Sequence, residues 1–239
     1  MLRIDFFVQG TKMDPEVRPD DGDVRARTAC TVMENFVVLE GLDGSGTTTQ
    51  LRMADRRLTE LGVPHFCTGE PTEGVVGSIV RTVLRKQLAV QPRTVALLFA
   101  ADRTEHLWQE GSGIMSRLAK GELVVCDRYL FSSLAYQSLA CDFDFVFALN
   151  SSFPLPGQLV FLDTPVALSQ QRLAMRAGDG RELYDEVEIQ QAIVSGYERS
   201  FSLFEHTGMR VHRLDGSRSP EEVFEKFWKI LHSLPIVKG

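Results

Sequence analysis

The stretch 36-FVVLEGLDGSGTTTQL-51 decides how the rest of the chain is read. Phe36 to Glu40 form a short apolar run of the kind that builds a buried strand, and the residues after Gln50 have helical spacing. The turn between them approaches the pattern GxxxxGK[ST]. In that pattern small residues let the backbone wrap an anion, N–H groups point inward, and the following helix adds its positive N-terminus. Gly41 and Gly46 are in register, Gly44 adds a third small position, and Thr48 takes the Ser/Thr place, where a hydroxyl can hold magnesium. The lysine place holds Thr47. Two readings stay open on these residues alone: a phosphate loop without its cation, or a Gly-rich turn between strand and helix.

The remainder of the chain supplies context. "HFCT" (65–68), "ELVVCD" (122–127), "QLVFLD" (158–163) and "RVHRLD" (210–215) are short and apolar or β-branched, as parallel strands buried on both faces are. Longer segments with helical spacing separate them, one carrying Leu97, Leu98, Ala101 and Leu107. "SPEEVFEKFWKILHSL" opens with a Ser cap, Pro in the first turn and two glutamates, which predicts a helix start there. Strands alternating with helices imply βαβ units and one parallel sheet covered on both faces.

Residues 1–32 stand apart. "TKMDPEVRPDDGDVRART" is polar, charged and Pro-containing, so we expect a disordered extension outside a domain spanning 33–239, with Met33 as an alternative start. The short apolar run before it contains Asp5 and is no secretory signal; its acidic residues argue against a transit peptide. A net charge of −6 argues against a non-specific nucleic-acid binder. No apolar stretch reaches the roughly 18 residues of a membrane span. Cys30, Cys67, Cys126 and Cys141 form no CxxC pair and the histidines no HxxxH, so the spacing predicts no zinc site and a cytoplasmic setting with reduced thiols.

"CDRYLFSSLAYQS" (126–138) tips the balance toward the phosphate loop. Asp127 ends a strand, at the edge where open α/β sheets gather ligands. A carboxylate there can hold a magnesium water, and Arg128 can fork onto a phosphate. Ser132 and Tyr136, four apart in a helix, share a face, with Gln137 beside them. A surface Asp-Arg pair on an ordinary amphipathic helix would explain each residue singly, but not the set.

Taken in order, "FVVLEGLDGSGTTTQL", "GEPTEG", "LLFAADRTEHL", "VVCDRYLFSSLAYQ" and "VFLDTPVALSQQR" resemble the thymidylate kinase family over roughly residues 34–232. The resemblance implies a P-loop nucleoside-monophosphate-kinase fold, with a five-stranded parallel sheet and helices on both faces. It implies transfer of the γ-phosphoryl of ATP to dTMP with Mg2+, in a homodimer. Gly41, Gly44, Ser45, Gly46, Thr47, Thr48 and Thr49 then hold the ATP phosphates, and Thr48 and Asp127 the metal. Asp43 resembles the carboxylate near the acceptor sugar, Phe99 the aromatic that stacks on thymine, and Arg103 the arginine that contacts base or phosphate. Glu70 and Pro71 belong to the acceptor loop, Arg128 meets the acceptor phosphate, and Ser132, Tyr136 and Gln137 line the nucleoside side.

The chain departs from the family twice. Its loop lysine is Thr47, and the arginine usual before Glu-Pro is Gly69. The segment 171–186 takes the place of the family's mobile lid (about 176–184), which in one subtype supplies catalytic arginines; Arg172, Arg176 and Arg181 stand there. Asp127, Arg128, Arg176 and Arg181 are the expected catalytic set. Thr47 and Gly69 keep two alternatives open: a nucleotide-binding protein with little catalysis, or a kinase for another deoxynucleotide.

Overall fold

The computed structural model describes residues 31–177, 184 and 187–238, the side chains of 176 and 177 excepted. The expected N-terminal extension lies outside the described residues up to position 30. Thr31 and Val32 belong to the fold, since Leu155 N–H donates to the Thr31 carbonyl at 2.9 Å.

Five parallel strands form one sheet in the order β2-β3-β1-β4-β5. They are β1 (Val32–Gly41), β2 (His65–Gly69), β3 (Leu123–Asp127), β4 (Leu155–Asp163) and β5 (Arg210–Asp215). The first strand in sequence is thus the central one. Leu39 is in register with Asp127 of β3, and Gly41 with Leu162 of β4. The order reverses around β1, which makes its C-terminal end the crevice where such sheets take ligands.

Helices cover both faces. Those that matter for the site are α1 (Thr47–Glu60), α2 (Val75–Leu84), α3 (Pro92–Trp108), α4 (Ile114–Ala119), α5 (Leu130–Tyr136), α6 (Phe143–Asn150), α7 (Val166–Ala177), α8 (Val187–Leu203) and α9 (Pro220–Ser233). Side chains alternate along β1. Phe36 and Val38 enter one core with Tyr129, Phe131 and Tyr197; Val37 and Leu39 enter the other with Leu58, Phe224 and Phe227. Both faces being buried is why the inner strands β1, β3 and β4 read as apolar runs, whereas the edge strand β5, RVHRLD, is largely exposed and does not.

Helix α9 starts as its sequence predicts. The Ser219 hydroxyl accepts from Glu222 N–H, and the Glu222 carboxylate accepts from Ser219 N–H. Helix α1 begins differently. Its N-cap is Gly46, in the left-handed region, with no side-chain cap and no acidic residue in the first turn. Its leading N–H groups therefore face the crevice without a protein acceptor from a capping side chain.

Candidate active site

The loop from Gly41 to Gly46 joins β1 to α1 in a tight turn, with Ser45 N–H donating to Leu42 O at 3.0 Å. Gly44 has φ +84°, and a Cβ there would lie 2.5 Å from the Ser169 carbonyl at α7. Only glycine suits that position. Thr47, in the lysine place, is the first helical residue and is buried. The Ser45 hydroxyl is buried without a partner among the described residues.

Beyond the loop, the Thr48 hydroxyl donates to Asp127 Oδ2 at 2.6 Å, while Asp127 Oδ1 is buried without a partner among the described residues. A hydroxyl and a carboxylate with a spare oxygen, beside an uncapped helix N-terminus, suit a hard divalent cation such as Mg2+. From α7, Arg172 Nη1 donates to the Ser45 carbonyl at 3.2 Å. A guanidinium therefore stands at the loop whose own cation is missing. Arg181 and the side chain of Arg176 lie outside the described residues. A cleft of about 180 Å³ opens beside the loop, lined by Gly46, Gln50, Arg172, Arg218 and Pro220 among others. It has the place of a base site next to a phosphate site.

On the other side, Arg128 is the hub. Its backbone has φ +70°, a conformation rare for a residue with a side chain, and its N–H donates to Leu39 O at 2.8 Å. Nη2 donates to Asp43 Oδ1 at 2.5 Å, and Nη1 to Ser132 Oγ at 3.1 Å and to the Tyr136 and Tyr197 hydroxyls at 3.3 Å each. Burial would lower its pKa, but the Asp43 charge and neighbouring tyrosines hold it far above the ordinary range, so it stays a cation.

Sequence reasoning passed over several groups here. Glu40, fully buried at the end of β1, accepts from Tyr129 N–H, Ser132 N–H, the Ser132 hydroxyl and the Tyr197 hydroxyl. Burial pushes its carboxyl up to about 7, with Arg128 and these hydrogen bonds opposing the shift. Tyr197, on α8, also donates to Gly41 O at 3.1 Å and so ties that helix to the loop. The Tyr184 ring meets Tyr136 edge-on, with centroids 5.2 Å apart. The pattern "CDRYLFSSLAYQ" gave no hint of these distant partners.

The acceptor loop after β2 is fixed by α3. Asp102 accepts from Thr72 N–H and its hydroxyl, at 2.8 and 2.6 Å. Glu70 accepts from Arg103 Nη2 at 2.6 Å and faces His106 Nδ1 at 3.1 Å. Burial alone would raise the Glu70 pKa, but the Arg103 charge and the His106 contact bring it below the usual value. Arg103, expected from the resemblance to contact base or phosphate, is 1% exposed. It donates twice to Glu70, to Ser133 and, by a short bond, to Asn150. Four of its five N–H donors are engaged, two of them on Glu70.

Phe99, one turn earlier, is half-buried and belongs to neither core. Gln137 is buried, and its Oε1 has no partner among the described residues. Gly69 lets β2 come close to β3: a Cβ there would lie 3.0 Å from Asp127 O. A second cation at this loop, besides Arg103, is one the sequence did not single out. Arg81, on α2, donates to Pro71 O at 2.9 Å and pairs with Glu73 at 3.0 Å.

The sheet order, the glycine loop closing on an uncapped helix and the Thr48–Asp127 pair define a P-loop phosphotransferase-type α/β protein of the nucleoside-monophosphate-kinase fold. Comparisons narrow this. The thymidylate kinase family model matches residues 39–227. A putative thymidylate kinase of Treponema pallidum is 42% identical over 205 residues, covering 85% of this chain and 96% of that protein. A thymidylate kinase of Carboxydothermus hydrogenoformans is 33% identical, covering 85% and 98%. Among solved structures, thymidylate kinase from Candida albicans superposes with a TM-score of 0.70 at 20% identity, over 86% of this chain and 94% of that one, a likeness of fold. The chain belongs to the thymidylate kinase family.

Proposed function

We propose that this protein transfers the γ-phosphoryl group of ATP to dTMP, giving ADP and dTDP, in the supply of dTTP. The observation that carries the reading is the convergence at the ends of β1 and β3. A loop with free N–H groups, the Thr48–Asp127 pair and the Asp43–Arg128 pair all meet there. Backbone N–H groups of Gly44, Gly46, Thr47 and Thr48, at the loop and the α1 N-terminus, bind the donor phosphates, while those of Ser45 and Thr49 close the turn. The cleft by Gln50, Arg218 and Pro220 receives the adenine. Arg128 meets the acceptor phosphate, Asp43 the sugar hydroxyl, Phe99 the face of thymine, and Tyr136 and Gln137 the nucleoside edge.

Mg2+, held by Thr48 and Asp127, would neutralise charge on the phosphate oxygens. The acceptor is already a phosphate oxygen, so the transfer calls for neither a strong base nor a covalent intermediate; positioning and charge carry it. For the donor charge absent at Thr47 we assign Arg172, with Arg176 and Arg181 of the lid; for that absent at Gly69, Arg81. Arg103 acts as a positioning residue on the Glu70–Pro71 loop.

We place the protein in the cytoplasm as a homodimer, with ATP and dTMP as its partners and neither nucleic acid nor membrane. The net charge of −6 and the free thiols of Cys67, Cys126 and Cys141 support this. No described helix is long and apolar enough to cross a membrane.

The test is ADP formation from ATP and Mg2+ with a panel of acceptors. We expect turnover to depend on dTMP and to exceed that with dUMP, dCMP, dGMP or thymidine. Equal rates with dCMP and dTMP would overturn the acceptor; no ADP with any of them would leave nucleotide binding alone.

A further inference from the structure

Away from the transfer site, α1 and β2 bring together three potential metal ligands that the sequence spacing hid. His65 and Cys67, two apart on a strand, share a face, and Asp55 of α1 lies over it. One ligand atom from each of Asp55, His65 and Cys67 lies within 4.8 Å of the others. His65 Nδ1 is 2.7 Å from the Val63 carbonyl, which can only accept, so that nitrogen carries the hydrogen. In the neutral ring, Nε2 then presents a lone pair to Asp55 Oδ1 at 3.2 Å. Two acceptors at hydrogen-bonding distance require a positive centre between them, either a proton or a metal ion. A ring N–H given to a backbone carbonyl is also how metal-binding histidines are oriented.

We propose that Asp55, His65 and Cys67 bind one thiophilic divalent cation of the zinc class. The ligands are a carboxylate oxygen, Nε2 and Sγ, and the fourth tetrahedral position is open to water. The open position follows from exposure, since the Asp55 side chain is 56% accessible. On binding, the thiol releases its proton to solvent and sulfur ligates as thiolate. Hard Mg2+ prefers oxygen ligands and is not the occupant, so this site is separate from the Thr48–Asp127 pair. The cation would clamp α1 to β2, the two elements whose ends carry the phosphate loop and the acceptor loop. Asp55 lies about 12 Å along α1 from Thr47, and Cys67 about 10 Å along the strand from Glu70. A clamp at that distance stabilises the frame without touching the reacting atoms.

The experiment uses the full chain, stripped of metal, in excess Mg2+, and titrated with Co2+ as a spectroscopic probe. We expect a thiolate-to-cobalt charge-transfer band and tetrahedral visible bands at one equivalent, displaced by Zn2+. Cys67→Ser should lose the charge-transfer band, and Asp55→Asn and His65→Gln should weaken Zn2+ binding by at least the roughly 10–100-fold typical of outer partners at such sites. At a hundredfold excess over Kd, Zn2+ should raise the parent Tm by roughly 5–10 °C and leave Cys67→Ser unmoved. Mg2+-dependent turnover retained by each variant shows that it is folded, and the exposed Asp55→Asn serves if Cys67→Ser does not fold. Absence of the thiolate band in the parent, its survival in Cys67→Ser, or parental Zn2+ affinity in both Asp55→Asn and His65→Gln would overturn the site. The first of these results would leave an imidazolium–carboxylate pair in its place.

Discussion

Glu40 links one residue to the pH response of the whole protein. Its folded carboxyl, at about 7, lies above the ordinary 4.5. A raised acid pKa means the folded state binds the proton more tightly, so the stabilisation is full below pH 4.5 and is lost as pH rises through 7. The span corresponds to something on the order of 3 kcal/mol. We expect the stability of the parent, measured by urea unfolding, to fall relative to Glu40→Gln between pH 5 and pH 8; parallel profiles would refute the assignment. Arg172 makes a kinetic prediction. If its guanidinium replaces the loop lysine, Arg172→Ala should lower kcat by on the order of 10²–10³ while ATP affinity changes far less. Thr47→Lys should then restore more activity in that variant than it adds to the parent. A kcat unchanged in Arg172→Ala would move the charge to the lid arginines beyond it. Glu40 was passed over in the sequence, and Arg172 stood there only as one of three arginines in the lid segment. Their partners, Tyr197 and Ser45, lie 157 and 127 positions away.

Among the elements, the acceptor loop shows how a buried charge network can stand behind a site. Arg103→Met would leave Glu70 as an uncompensated buried carboxylate, a loss of about 3–5 kcal/mol, whereas adding Glu70→Gln should recover much of it. Urea unfolding of the single and double variants reads this directly. A variant that kept its stability but lost only dTMP affinity would make Arg103 a ligand contact instead. The i, i+4 spacing of Phe99 and Arg103 was legible in the sequence, but which of them turns inward was not. That choice depends on Glu70, Ser133 and Asn150 arriving from three other elements. Strands were easier to read. The three inner strands were visible as apolar runs because both their faces are covered, while the edge strand β5 was marked only by Val211 and Leu214 among polar residues. The start of β1 was missed: Val32 and Met33 pair with Leu155 and Pro156 before a register shift, and the polar Glu34 and Asn35 interrupt the run. The α9 start was legible in full, since its capping box is a local interaction.

At the scale of the whole molecule, the apolar surface left on α2 and α3 supports self-association. Val75 is 81% exposed, and Ile79, one turn on, 38%; Leu97 on the adjoining α3 is 49% exposed. Val75 and Ile79 share a helix face. If the proposed homodimer forms through this face, we expect the parent to sediment as a dimer and the double variant Val75→Asp, Ile79→Asp as a folded monomer, since neither side chain is in a core. A dimer that survives both charges would place the interface elsewhere. Family membership and fold were legible from the sequence because the diagnostic residues cluster at strand ends. The frame behind the site was not, since it is assembled from α7, α8 and α3.

The central place of β1 has a consequence for biosynthesis. The strand leaves the ribosome first, yet its two neighbours are β3 and β4, the latter ending at Asp163. At about 5–20 residues per second, the chain between Gly41 and Asp163 takes roughly 6–24 s to appear. Until β3 is complete at Asp127 "FVVLE" has both backbone edges open, and until β4 follows one edge stays open, the condition under which apolar strands pair with the wrong neighbour. The nascent chain therefore passes through a window of aggregation risk that closes only when β4 docks, a risk set by topology rather than by any one residue.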